Sequence, residues 1–116
     1  MAKSTRKAKL PKAPAHLQLA TRRWWNEVVS TYELEEHHLK LLALACKAWE
    51  RSEQAREVLD REGLTYLDGA KPKPRPEIAV ERDSRIAFAR LLRELALDVE
   101  PPADVRPPRL LGTAGR

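Results

Sequence analysis

Three groups of side chains in this 116-residue sequence invite a chemical reading. They are the His37-His38 pair behind Glu35 and Glu36, the single cysteine Cys46, and the bases of the leader. Histidines beside carboxylates could hold a metal or move protons, but zinc sites need about four closely arranged ligands. Adjacent residues on a helix diverge by about 100°, and His16 is remote in sequence. The pair therefore reads as exposed histidines in an acidic first turn. Cys46 has no partner for an intramolecular disulfide and lies in the apolar run Leu41–Cys46, as a small core residue of a reducing compartment would. Gly63, Gly69, Gly112 and Gly115 are the only glycines, and none opens a G-x-x-x-x-G-K-[ST] phosphate loop. No nucleophile-plus-base signature is visible. Glu53, Arg56, Glu57 and Asp60 have the spacing of solvated helix surface. The expectation is a chain with no catalytic residue, no metal and no cofactor.

The bases point further. Lys3, Arg6, Lys7, Lys9 and Lys12 stand in a leader, Met1–Ala15, that has no acid, and Arg22 and Arg23 follow before the first acid, Glu27. From Trp24 to Ala70 ten acids face five bases, although the whole chain carries a formal net charge of +5. A basic leader on a mildly acidic body implies a polyanion partner, with nucleic acid the usual one. A second basic stretch, Lys71, Lys73 and Arg75, alternates with Pro72, Pro74 and Pro76. These ten bases are the candidate DNA-binding residues. The leader has no aromatic residue to stack on bases, so its contacts should be to phosphates and tolerant of sequence.

The elements that must position these residues are mainly helical. Aromatics make up only 5% of the chain against 34% charged residues, which suits helices with charged faces more than a β-sandwich. Three regions are expected: a basic disordered arm over 1–15, a helical oligomerisation core over 16–97 and a Pro-rich tail over 98–116. Within the core, the spacing predicts a first helix over about 16–30 with Leu17, Ala20, Trp24 and Val28 buried. A long second helix should span about 35–62 and stop at Gly63. A small β-hairpin follows at about 64–76, turning at Asp68-Gly69, with its Pro-rich limb confined to an edge. The third helix should span about 77–97, burying Val80, Ser84, Ala87, Phe88, Leu91 and Leu95. The fold class is thus all-α in the main. The first half of the long helix is apolar on two sides, through Leu39, Leu42, Cys46 and Trp49 on one and Leu41, Ala45 and Ala48 on the other. Leu39, Leu41, Leu42, Ala45, Cys46 and Trp49 are therefore candidate oligomerisation residues, with cover by the third helix and hairpin of the same chain as the alternative. The longest apolar run is far too short to span a bilayer, and the leader lacks the apolar stretch of a signal peptide.

A helix-turn-helix reading fails on charge. It would put Glu35 and Glu36 at the groove-facing end of the second helix, against a phosphate-lined groove.

The order of pieces resembles the phage terminase small subunits of the P-twenty-seven class. The matching pieces are Leu10-Pro11 and Pro14, then Trp24 or Trp25, then Leu34-Glu35-Glu36. Cys46-Lys47-Ala48-Trp49-Glu50, Gly63-Leu64-Thr65-Tyr66, Pro76 and Leu95-Ala96-Leu97 complete it. Glu35 and His37-His38 stand where that pattern often has Thr and Asp, and Ala96 replaces its frequent glycine. The resemblance implies a non-catalytic subunit that assembles into a homo-oligomeric ring in the bacterial cytoplasm. It would recognise double-stranded phage DNA and cooperate with a large terminase subunit that carries the ATPase and nuclease. Membranes play no part in this reading. The competing expectations are a helical nucleic-acid-binding regulator, which a dimer would favour, and a scaffold that does not bind DNA.

Overall fold

The computed structural model describes residues 10–97. Residues 1–9 of the expected arm over 1–15, and the tail over 98–116, lie outside the described residues. The order is helix α1 (Leu19–Thr31), helix α2 (Glu36–Glu62), strands β1 (Thr65–Asp68) and β2 (Lys71–Pro74), and helix α3 (Glu77–Leu95). The expected three helices and small hairpin are all present.

Local chemistry sets the ends. Residues before α1 form a turn closed by Leu17 N–H donating to the Pro14 carbonyl at 3.3 Å. The helix therefore begins three residues later than the spacing predicts. At the head of α2, Glu35 and His38 cap each other reciprocally, and the Glu35 N–H donates to His38 Nδ1 at 3.1 Å. The pair satisfies N–H groups that a helix start leaves orphaned. Gly63 ends the same helix at φ +92°, in the region that favours glycine. The third helix ends on Ala96, at φ +51° and ψ +46°. This left-handed cap is usually a glycine, and a Cβ there is strained.

The Arg75 guanidinium donates to the Glu62 carbonyl, Trp49 packs on Phe88 with centroids 5.2 Å apart, and Leu42 shares a cluster with Leu95. As the numbers on α2 fall, those on α3 rise, so the two helices run antiparallel. Trp24 on α1 also meets Phe88, at 6.0 Å. The three helices converge on one cluster built from Leu17, Trp25, Val28, Val29, Leu42, Cys46 and Leu95. Each fully buried large apolar side chain in it contributes about 1.5–3 kcal/mol. The far half of α2 has only α3 beside it, and its buried residues there are the small Ser52 and Ala55.

Two sequence expectations need correction. The buried stripe of α1 is Thr21, Trp25, Val28 and Val29. Ala20 is exposed and Trp24 half-buried, a rotation of one residue from the expected face. The turn at 14–17 explains it, because Pro11 then lies where the Trp25 indole N–H can donate to its carbonyl at 3.1 Å. That bond removes the cost of burying the indole nitrogen. On α3 only Leu95 is fully buried, and Val80 is exposed.

Candidate nucleic-acid and assembly surfaces

The root of the leader is bolted down. The Gln18 N–H at the start of α1 donates to Glu50 Oε2 on α2 at 2.6 Å. This buried carboxylate faces the positive end of α1, where negative charge is stabilising. Arg22 Nη2 donates to the Ala15 carbonyl at 2.7 Å. Lys12 and Arg23 are exposed. Lys3, Arg6, Lys7 and Lys9 lie outside the described residues. Glu50 also adds to burial in pushing the Cys46 thiol up to about 12, so the thiol stays neutral and unreactive.

The hairpin is built more specifically than its sequence promised. Its register pairs Thr65 with Pro74, Tyr66 with Lys73, Leu67 with Pro72 and Asp68 with Lys71. Gly69 takes φ +69° at the first turn position, as a type II′ turn requires. The Arg75 N–H donates to the Leu64 carbonyl at 2.8 Å. Hydrogen-bonded and non-hydrogen-bonded pairs alternate from there, which puts Pro72 and Pro74 at positions that owe no ladder bond. Their nitrogens face outward, so the free edge of β2 offers no donor and is closed to a further strand.

Cross-strand pairs share a face. Thr65, Leu67, Pro72 and Pro74 form one, almost wholly apolar. Tyr66, Asp68, Lys71 and Lys73 form the other. All eight residues are exposed, and Leu67 is 70% so. On the polar face Lys73 Nζ meets Asp68 Oδ2 at 2.9 Å, which leaves Lys71, among the described residues, as the strand base without an ion pair. Arg75 is held by the protein itself. It donates from Nε to the Gly63 carbonyl at 3.1 Å and from Nη2 to the Thr65 carbonyl at 3.0 Å, and its guanidinium lies 5.9 Å from the Tyr66 ring centroid. It caps the carbonyl end of α2 and fixes the hairpin on the helix pair.

Of the six candidate oligomerisation residues, Leu42, Ala45 and Cys46 have no exposed surface at all. Leu39 and Leu41 are half-buried against the same cluster. The two apolar sides of α2 are covered from within the chain, by α1 and α3, and these five side chains are spent on that core. Trp49 keeps 43% of its surface exposed. The hairpin face, which the sequence reading treated only as an edge for bases, was missed as apolar surface. Its signal was the alternation of Leu67 with the prolines across the turn.

A family model described as phage terminase, small subunit, matches residues 21–108. The chain belongs to that family. Membership places it in phage genome packaging, among subunits that are generally non-catalytic adaptors. The match begins inside α1 and takes in α2, the hairpin and α3, so it covers every element described above except the root of the leader. No curated protein and no solved structure matches the chain. Among the described residues no group of His, Cys, Asp and Glu is placed to hold a metal ion, and no helix is long and apolar enough to cross a membrane.

Proposed function

We propose that this terminase small subunit is a DNA-recognition adaptor that assembles into an oligomeric ring and delivers viral DNA to the large terminase subunit. The observation that carries the assembly is the hairpin. A lone two-stranded hairpin is marginal in water, yet this one is pinned by Arg75 and turns an apolar face outward. A neighbouring copy gives that face something to pack on, with Trp49 adding to the contact. The donor-free edge of β2 disfavours a sheet that runs on from copy to copy, which leaves side-chain packing as the contact this face offers. A head-to-tail contact of this kind closes into a ring when its rotation allows.

The arm supplies charge for DNA. Lys3, Arg6, Lys7, Lys9 and Lys12 reach from a root fixed on α1, Arg22 and Arg23 extend the footprint onto the helix, and Lys71 adds to it from the hairpin. Lys73 and Arg75 contribute less, because their charges are already engaged within the chain. Contacts weak in one copy become strong when many copies engage one duplex. The tail over 98–116, with Arg106-Pro107-Pro108-Arg109-Leu110-Leu111, offers bases and an apolar anchor to the large subunit.

Binding of double-stranded DNA measured against salt tests the reading. The log–log slope should be about −0.9 per phosphate neutralised, and removing residues 1–12 should flatten it while leaving the assembly intact. Equal affinity and slope in the truncated protein would show that the arm does not bind DNA.

A further inference from the structure

The charge of α2 cancels along the sequence but separates by face. At 100° per residue, Lys40, Leu44, Lys47, Arg51 and Gln54 fall on one stripe. All five are exposed. The stripe lies on the side of α2 turned away from the other helices, about 80° round the helix from Glu50 and about 180° from Trp49. α1 is fixed to α2 through Glu50, and α3 packs through Trp49. Glu50, Glu57, Glu53 and Asp60 project from another side of the helix, about 80° to 160° from the stripe's axis. Acids stand only at its two ends: Glu36 at its head, which meets Lys40 at 4.0 Å, and Glu62, about two turns beyond Gln54, which meets Arg61 at 3.1 Å. Among the described residues, Lys47 and Arg51 make neither an ion pair nor a side-chain hydrogen bond.

We infer that this stripe is a second, rigid DNA-contacting surface, with Lys47 and Arg51 on phosphates and Lys40 at its margin. The inference rests on the DNA-adaptor reading and deepens it. Lys40 and Arg51 are about 16 Å apart along the helix axis at 1.5 Å per residue, a length of roughly five nucleotide steps at 3.4 Å each. Lys47 and Arg51 are one turn apart. Leu44, 53% exposed between the bases, faces sugar carbons. Phosphate contacts from a helix set the register of a protein on a duplex. An acidic protein partner could use the same bases, and the experiment separates the two.

The experiment compares the full chain with Lys47→Gln/Arg51→Gln, binding a duplex of random sequence across a salt series. Arg90→Gln/Arg93→Gln is the charge-matched control on exposed positions of α3. All four side chains are exposed, so each variant should fold and keep the parental mass. The stripe variant should bind at least tenfold more weakly near 0.1 M salt, with a slope shallower by about 2 per engaged subunit, at roughly one unit for each phosphate no longer neutralised. The control should keep affinity close to that of the full chain. Equal binding by the stripe variant and the full chain would overturn the inference and leave the adaptor reading standing, with a protein partner then the reader of the stripe. Equal loss in both variants would overturn it too, since net charge alone would explain the effect. No binding by the unaltered chain would remove the adaptor reading itself, and the stripe with it.

Discussion

The two ends of the α2–α3 pair are built on different principles. At the Leu42 end three helices meet, and the residues at the contact are large, apolar and fully covered. At the Glu62 end two helices and a hairpin meet, with Ser52 and Ala55 buried between the helices and every strand residue exposed. The first end is sufficient in itself. The second holds its shape through bonds from Arg75 to backbone carbonyls and, among the described residues, leaves Leu67, Pro72 and Pro74 uncovered. In a short chain that can build only one core, the residues outside it are free to serve contacts between molecules.

The sharpest way to break this comparison is to cut into each end. Leu42→Ala should cost about 2–5 kcal/mol, the usual range for a fully buried leucine. Leu59→Ala, on the distal pair, should cost less, about 1–2 kcal/mol, because its side chain is only partly buried. Urea denaturation measures both, and equal losses would mean that the core extends along the whole pair. A smaller effect concerns the bolt between α1 and α2. Glu50→Ala removes the carboxylate at the head of α1 and should cost about 0.5–2 kcal/mol, as loss of a helix cap does. Hydrogen exchange should quicken in the first turn of α1 and leave the hairpin unchanged. The smallest effect has the opposite sign. Ala96→Gly relieves a left-handed alanine and should stabilise the protein by up to about 1 kcal/mol, seen as a raised urea midpoint.

Much of this was legible in the sequence. The helix order, Gly63 as a stop and the Asp68-Gly69 turn follow from spacing and from the conformations glycine permits. The face of α1 was not legible, because Trp24 and Trp25 fit neighbouring stripes equally well and only the Pro11 carbonyl decides between them. Nor was the cover of α2. Its two apolar sides are plain, but a periodicity names no partner, and α1 and α3 supply from within what a second chain could have supplied. The basic stripe was not legible either, since Lys40, Lys47 and Arg51 are offset along the sequence by acids that point elsewhere. No spacing sets Glu50 apart from the other acids of α2, and only the packed structure brings its carboxylate to the start of α1.

The central claim, that the distal end is made for neighbouring copies, is tested most directly by native mass at micromolar concentration. The unaltered chain should appear as a defined multiple of 13.2 kDa, and Leu67→Glu, which places a charge on the apolar hairpin face, should collapse that species toward single subunits. A chain that runs at 13.2 kDa, or an assembly indifferent to Leu67→Glu, would contradict it.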